Sequence, residues 1–154
     1  MIPQSLAGVR IALIVEDTGW RNTTAFELGV KSMGGICAPV PVSLDGAEAI
    51  EDLARYLDNW FDMIVVRTRE LARLREFATA ARAPVVNART RDNHPCEVLG
   101  DLAFAVHEGK ALPGLKVSVV APHANILRSW IEAASILPIT VVQRQLESLM
   151  LELF

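Results

Sequence analysis

The sequence has few cysteines and histidines and no excess of positive charge. Its 154 residues include two cysteines and three histidines, too few for a disulfide framework, and no Cys-x-x-Cys pair indicates a zinc site. We therefore expect no metal, no other cofactor and a reducing, cytoplasmic location. The formal net charge of −3 argues against a nucleic-acid binder, which neutralises phosphates with surplus lysine and arginine. Because no apolar run approaches ~18 residues and no basic segment precedes an apolar N-terminal core, we expect neither a membrane span nor a signal peptide.

The composition fits one globular core with an uneven charge distribution. With 51% apolar residues, a chain of this length buries roughly two-thirds of its unfolded surface and does not suggest a second full core. Residues 67–91 contain seven arginines and two glutamates, whereas residues 45–62 contain six acidic residues and one arginine. Two interpretations stay open: the arginines focus a small anion, or the two runs are solvated helix faces of opposite sign.

Short β-rich runs alternate along the chain with longer stretches of helical period. This alternation predicts an α/β fold in which a parallel sheet carries crossover helices on both faces. The predicted strands cover residues 9–15, 36–40, 63–66, 84–87, 116–120 and 139–142, and the predicted helices cover residues 23–33, 47–59, 68–82, 95–107, 125–137 and 144–153.

A segment of glycine, proline and charge at residues 109–114 predicts a division into domains 1–110 and 111–154. The second part is one βαβ unit, which is too small to hold a core alone. Its last predicted helix places four apolar residues at i, i+3, i+4 and i+7, a stripe that needs a partner surface. These residues are Leu146, Leu149, Met150 and Leu153. We therefore expect a homo-oligomer.

Two short segments have the pattern of strand-to-helix turns that face an anion. Residues 16–29 place Arg21 at the start of a helix, where free backbone N–H groups and the helix dipole favour a phosphate or carboxylate. Residues 93–97 read Asn-His-Pro-Cys-Glu, so that His94 precedes a proline suited to the first helical position. Arg67 follows the third predicted strand, at the edge where open α/β sheets bind ligands.

Together the two segments resemble the signature segments of the aspartate/ornithine carbamoyltransferase family, Ser-Thr-Arg-Thr-Arg followed by Phe-Glu, and His-Pro-Cys-Gln. Residues 61–68, 84–88 and 114–117 resemble further family segments in the same order. The resemblance implies a carbamoyl-phosphate-binding domain followed by the first βαβ unit of the amino-acid-binding domain, as in a carbamoyltransferase shortened by an internal deletion.

The resemblance also assigns roles to residues at matching positions. Arg21 and Arg67 would hold the phosphate, and Arg67 would also reach the carbamoyl oxygen. His94 would donate a hydrogen bond to that oxygen and stabilise the negative charge that develops on it. The alternative for each side chain is a surface or helix-capping residue without a ligand.

Several polar residues of the family's signatures are replaced here. Gly19, Trp20 and Asn22 stand where the family has Ser, Thr and Thr, and each lost charge-assisted hydrogen bond costs about 1.5–3 kcal/mol of phosphate binding. Glu97 stands where the family has the glutamine that binds the carbamoyl amide, and its charge opposes a dianionic ligand. Alternatively, Glu97 forms a salt bridge with one of the two arginines, Arg21 or Arg67, that fills the empty site.

Weaker matches concern the loop at residues 43–48 and the last βαβ unit. Gly46 stands where many relatives carry a lysine that reaches a neighbouring subunit's site. Asn125 and Ser129 match an Asn-x-x-x-Ser pattern of the amino-acid-binding domain. His107 and His123 are expected at the surface or as helix caps.

Two functions stay open. The first is transfer of a carbamoyl group from carbamoyl phosphate to the amine of ornithine, acetylornithine or aspartate. The second is a non-catalytic binding or assembly module derived from the same family. Either way the resemblance implies a homotrimer, with carbamoyl phosphate or another small anion as the ligand and without a nucleic-acid or membrane partner.

Overall fold

The computed structural model describes residues 3–15, 19–120 and 124–144, and the chain divides into two compact units, Met1–Arg89 and Thr90–Phe154. The first unit contains the elements β1 (Arg10–Val15), α1 (Trp20–Ser32), β2 (Ile36–Pro39), α2 (Ile50–Leu57), β3 (Met63–Arg67), α3 (Leu71–Ala80) and β4 (Val85–Arg89). The second contains α4 (Pro95–His107), β5 (Leu115–Val120), α5 (Asn125–Ile136) and β6 (Ile139–Arg144). In these described ranges no helix is long and apolar enough to cross a membrane.

The predicted α/β fold is confirmed, with one predicted element outside the described residues. That element is the terminal helix at residues 144–153: Arg144 is the last residue of β6, and residues 145–154 are not described. The helix α1 begins at Trp20, three residues before the predicted start at Thr23. Arg21 and Asn22 consequently lie in its first turn.

The first unit is built on a parallel sheet with the strand order β2-β1-β3-β4. Successive side chains of a strand point to opposite faces, and β1 is apolar on both. Ala12 and Ile14 are buried in the cluster formed with α2 and α3, whereas Ile11 and Leu13 are buried in the cluster that contains Val30 of α1. Each such Ile or Leu contributes about 1.5–3 kcal/mol by burial, so the sheet backbone is held firmly from both sides.

The acidic run and the arginine-rich run as far as Arg89 lie in this unit, and ion pairs between described residues join the two runs. Nε of Arg73 lies 3.5 Å from Oδ1 of Asp45, and Nε of Arg82 lies 3.5 Å from Oδ2 of Asp58. Some arginines of this run therefore form ion pairs with the acidic run. Neither sequence interpretation, anion binding or solvated helix faces, included these ion pairs.

Asp58 also accepts backbone hydrogen bonds from the segment between α3 and β4. Its carboxylate is 2% exposed and accepts hydrogen bonds from the backbone N–H groups of Arg82 and Ala83, each at 2.9 Å. Burial raises the pKa of this carboxyl group, but the Ala83 and Arg82 hydrogen bonds outweigh burial and leave the pKa below its ordinary value. The end of α2 is thereby tied to the start of β4.

The second unit packs two helices on a two-stranded parallel sheet of β5 and β6. Its core joins Val98 and Leu102 of α4 to Trp130 of α5 and Ile139 of β6. Because α4 shares this core, it belongs to the second unit, which begins at Thr90 in the sequence. The domain division expected after residue 110 stays a prediction.

Candidate functional site

The carboxyl ends of β1 and β3 define the candidate site of the first unit. The chain leaves β1 through α1 to β2 on one side and reaches β3 on the other side, so the strand order reverses between β1 and β3. Open parallel sheets bind ligands at such a reversal, outside the carboxyl ends of the strands. Val15 and Arg67 are register partners and the last residues of these strands. Arg67 is therefore placed where a ligand is expected.

Gly19 lets the Arg67 side chain lie against the start of α1. A Cβ atom on Gly19 would lie 2.6 Å from Cγ1 of Val15 and 3.4 Å from Nε of Arg67, and the first distance is too short for any side chain. Nη1 of Arg67 donates a hydrogen bond to Oδ1 of Asn22 in the first turn of α1. A guanidinium group and the positive end of a helix dipole are thus adjacent, an arrangement that a bound anion stabilises.

Trp20 and Arg21 lie on the exposed side of the same helix start. The guanidinium carbon of Arg21 lies 5.1 Å from the centroid of the Trp20 ring, a cation–π contact. The N–H groups of Asn22 and Thr23 donate to the Gly19 carbonyl at 2.9 and 3.1 Å, so the amides of Trp20 and Arg21 precede the internal hydrogen bonds of the helix. The structure brings all five residues predicted in this segment and strand to one helix start; that they bind substrate stays a prediction.

The loop at residues 43–46 is fastened to α3. Nη2 of Arg73 donates to the Leu44 carbonyl at 2.8 Å, and Leu44 is 1% exposed. The N–H of Gly46 donates to the Ser43 carbonyl at 3.1 Å, which closes a tight turn at the position of the family's lysine. This loop is consequently held on its own unit.

His94 belongs to the second unit and is the N-cap residue of α4. Pro95 occupies the first turn of the helix and restricts His94 to a non-helical conformation, with φ −139° and ψ 65°. The backbone N–H of His94 donates to Oγ of Ser129 at 2.7 Å. The His94 side chain is 12% exposed, and its Nε2 lies 3.3 Å from Oε2 of Glu97.

The partner of Glu97 in this unit is therefore His94, an arrangement that the sequence did not indicate. The two residues are three positions apart at the start of α4, where side chains meet and where the helix dipole favours a carboxylate. Glu97 also influences Asp101 one turn further on. Burial raises the pKa of Asp101, and the negative charge of Glu97 raises it further.

Sequence reasoning missed two residues that contact the turn before α4. Arg128 Nη1 lies 3.1 Å from Oδ1 of Asp92, and Glu132 Oε2 accepts from Nδ2 of Asn93 at 3.1 Å. The signal was present in the sequence, because residues 125, 128, 129 and 132 are polar and follow the helical i, i+3, i+4, i+7 spacing.

The described residues offer little else for chemistry. Burial raises the pKa of the Cys96 thiol, and burial and then Glu27 raise that of Cys37, so neither has the acidic thiol of a nucleophile. Within the described part of the chain no group of three or more His, Cys, Asp and Glu residues is placed to hold a metal ion. His107 is exposed at the last turn of α4, and His123 lies outside the described residues.

Comparison with known proteins places this geometry in a family. A family model described as "Aspartate/ornithine carbamoyltransferase, carbamoyl-P binding domain" matches residues 1–107. An ornithine carbamoyltransferase of Rhizobium johnstonii is 35% identical over 134 residues, which are 84% of this chain and 44% of that protein. One from Cereibacter sphaeroides is 36% identical over 135 residues, covering 85% of this chain and 44% of that protein. The chain thus spans less than half the length of these curated relatives.

Solved structures agree with the sequence match. The ornithine carbamoyltransferase from Burkholderia thailandensis has a TM-score of 0.84 at 30% identity, covering 95% of this chain and 51% of that chain. The ornithine carbamoyltransferase from Pyrococcus furiosus also has a TM-score of 0.84, at 27% identity, and covers 96% of this chain and 48% of that chain.

Proposed function

The chain belongs to the aspartate/ornithine carbamoyltransferase family, and on that premise we propose that it binds carbamoyl phosphate as part of a carbamoyl transfer to an amino-acid amine. The observation that carries the proposal is the position of Arg67. This side chain stands at the reversal of strand order, crosses Gly19 and reaches the first turn of α1. A phosphate there would meet a guanidinium group and the positive end of a helix.

The proposed roles follow the family resemblance, residue by residue. Arg21 and Arg67, with the first-turn amides of α1, hold the phosphate group. His94 donates a hydrogen bond to the carbamoyl oxygen. As the amine nitrogen bonds to the carbonyl carbon, negative charge develops on the carbonyl oxygen, and this hydrogen bond stabilises it. The bond from that carbon to the phosphate oxygen then breaks, and phosphate leaves with the proton that the amine gives up.

The structure supports a weakened form of this site. Nε2 of His94 already contacts the Glu97 carboxylate. A carbamoyl oxygen would therefore compete with that carboxylate for the N–H group of His94. Trp20 contributes no hydroxyl at a position where the family has threonine. We therefore propose weaker carbamoyl-phosphate binding than a site with the family's glutamine and hydroxyl residues would have.

The acceptor amine belongs to ornithine, acetylornithine or aspartate. The relatives and solved structures reported above are named as ornithine carbamoyltransferases, which favours ornithine. The residues Leu44, Asp45 and Gly46 are closer to the acetylornithine branch. A radiolabelled carbamoyl-phosphate assay with each of the three amines separates these acceptors.

A second candidate function, a non-catalytic binding or assembly module, is favoured by a specific pair of contacts. Arg67 donates to Asn22, and His94 contacts Glu97, so both side chains that are proposed to bind substrate already contact other residues of the protein. In this alternative the Arg67–Asn22 and His94–Glu97 contacts stabilise the fold, and the function of the chain is to assemble with partner proteins.

We further propose a homotrimer in a reducing, cytoplasmic location. Large apolar side chains are exposed on the first unit, among them Trp20, Leu28, Tyr56 and Trp60, and apolar surface of this kind is buried in assemblies. The low cysteine content suits a reducing compartment. Light scattering at micromolar concentration tests the assembly, and a monodisperse species of 16.8 kDa would contradict it.

Calorimetric titration with carbamoyl phosphate tests the main proposal. We expect saturable binding that inorganic phosphate inhibits competitively. Absence of binding up to millimolar ligand would contradict the proposal and leave the non-catalytic alternative, provided that circular dichroism shows folded protein.

A further inference from the structure

One face of α5 carries four polar residues that all contact the turn at residues 90–94. They are Asn125, Arg128, Ser129 and Glu132, and their i, i+3, i+4, i+7 spacing places them in one stripe along the helix. On the opposite side of the same helix, Leu127 and Trp130 are buried in the second unit. The stripe is distinguished from an ordinary solvated helix face by its hydrogen bonds to the turn.

The contacts hold both ends of the turn. At its start, Nδ2 of Asn125 donates to the Thr90 carbonyl at 2.8 Å. At its end, Oγ of Ser129 accepts from the backbone N–H of His94 at 2.7 Å. Ser129 is 3% exposed and Thr90 is 1% exposed, so water does not replace these partners easily and their loss leaves buried polar groups unsatisfied.

The middle of the turn is fixed by its own hydrogen bonds and by ion pairs. Oγ1 of Thr90 accepts from the N–H groups of Asp92 and Asn93 at 3.2 and 3.1 Å. Arg128 contacts Asp92 at 3.1 Å and Glu132 at 3.3 Å. Contacts of Thr90, Asp92, Asn93 and His94 thus fix the direction from which the chain enters α4.

We propose that Ser129, supported by Asn125, is a positioning residue for His94. The hydrogen bond to the His94 backbone fixes the residue that Pro95 keeps out of the helix, and so fixes the direction of the imidazole beside Glu97. This inference rests on the proposed function, in which His94 donates a hydrogen bond to the carbamoyl oxygen. It gives the polar stripe of α5 the task of orienting the hydrogen-bond donor His94.

The test compares Ser129→Ala and Asn125→Ala with Ser135→Ala. Ser135 lies on the same helix, is exposed, and its hydroxyl donates to the Glu132 carbonyl of α5 at 2.6 Å, so the control removes a hydroxyl that bonds within the helix and not to the turn. Thermal unfolding shows which variants are folded. Two readouts then follow, the pH titration of the His94 ring by NMR and the affinities for carbamoyl phosphate and for inorganic phosphate.

We expect Ser129→Ala to shift the titration midpoint of the His94 ring. Carbamoyl phosphate affinity should fall about 3- to 10-fold, the effect of one lost hydrogen bond, whereas inorganic phosphate affinity should not change. Asn125→Ala should act in the same direction, and Ser135→Ala should match the wild type in all measurements.

Two results would overturn the inference: folded Ser129→Ala and Asn125→Ala variants with a wild-type His94 titration, or equal losses of affinity for both ligands. If the wild type binds no carbamoyl phosphate, the proposed function fails. The His94 titration still decides whether Ser129 positions the ring.

Discussion

Arg67 and His94 are placed by different kinds of interaction. Arg67 ends a strand of a sheet whose two faces are both buried by apolar side chains, and it approaches α1 because Gly19 has no side chain. His94 lies on an irregular turn before α4, and hydrogen bonds from α5 hold that turn. Packing of the sheet and of Gly19 places Arg67, whose side chain then donates to Asn22, whereas polar contacts alone fix the turn that carries His94.

The difference matters because the two kinds of interaction fail differently. Close packing does not depend on pH but tolerates no added volume. Hydrogen bonds tolerate small changes of shape but leave an unsatisfied buried group when one partner is removed. Substitutions in the two units should therefore have different signatures, and the following predictions test this in order of decreasing effect.

Removing the Arg67 guanidinium should have the largest effect. We expect Arg67→Ala to reduce phosphate affinity by about 10- to 150-fold, because one charge-assisted interaction of about 1.5–3 kcal/mol is lost. Calorimetry with inorganic phosphate measures this. Arg75→Ala removes the same charge from an exposed position on α3 and should change the affinity little. Equal losses in both variants would show that net charge, and not the placement of Arg67, determines binding.

Adding one methyl group to Gly19 should break the packing of the first unit. Gly19→Ala places a Cβ atom 2.6 Å from Cγ1 of Val15, and we expect a loss of about 1–3 kcal/mol in the free energy of unfolding. Gly29→Ala on α1 is the control, since a Cβ atom there meets nothing within 4 Å. It should stabilise the helix by up to about 1 kcal/mol. Denaturant unfolding that ranks the two variants in the opposite order would be inconsistent with this packing.

Neutralising Glu97 should have the smallest effect, because its side chain is 54% exposed and solvent screens its charge. We expect Glu97→Gln to raise carbamoyl-phosphate affinity by about two- to fivefold, since repulsion of the anion is removed and His94 loses a competing acceptor. The pKa of Asp101, which burial and then Glu97 raise, should fall towards its ordinary value. Calorimetry and carboxyl NMR measure the two effects. Glu108→Gln, at the exposed end of α4, should change neither, and an unchanged Glu97→Gln variant would remove Glu97 from the proposed site.

The sequence predicted the fold of the described residues because hydrophobic period determines element type. The buried run of β1 and the helical stripe of α2, with Ile50, Leu53 and Leu57 buried, needed no tertiary information. The start of α1 was misplaced because Gly19, Trp20 and Arg21 carry no strong capping signal, and the structure shows no side-chain cap there.

The candidate site was predictable only where residues are close in sequence or stand at strand ends. Arg67 was found from its position after a strand. The contact between Asn22 and Arg67 joins residues 45 positions apart, and no local pattern reports such a pair. For Glu97 the sequence left two roles open, binding of the carbamoyl amide or a salt bridge with Arg21 or Arg67. Neither included the contact with His94, three residues away and within reach along one helix.

The central claim is that the Arg67 guanidinium and the start of α1 together bind a phosphate group, and an NMR titration with inorganic phosphate tests it most directly. The account predicts that the backbone amides of residues 19–22 and the Arg67 guanidinium respond together, with one dissociation constant. A titration in which the Arg67 guanidinium responds at a different phosphate concentration from residues 19–22, or does not respond at all, would contradict the account.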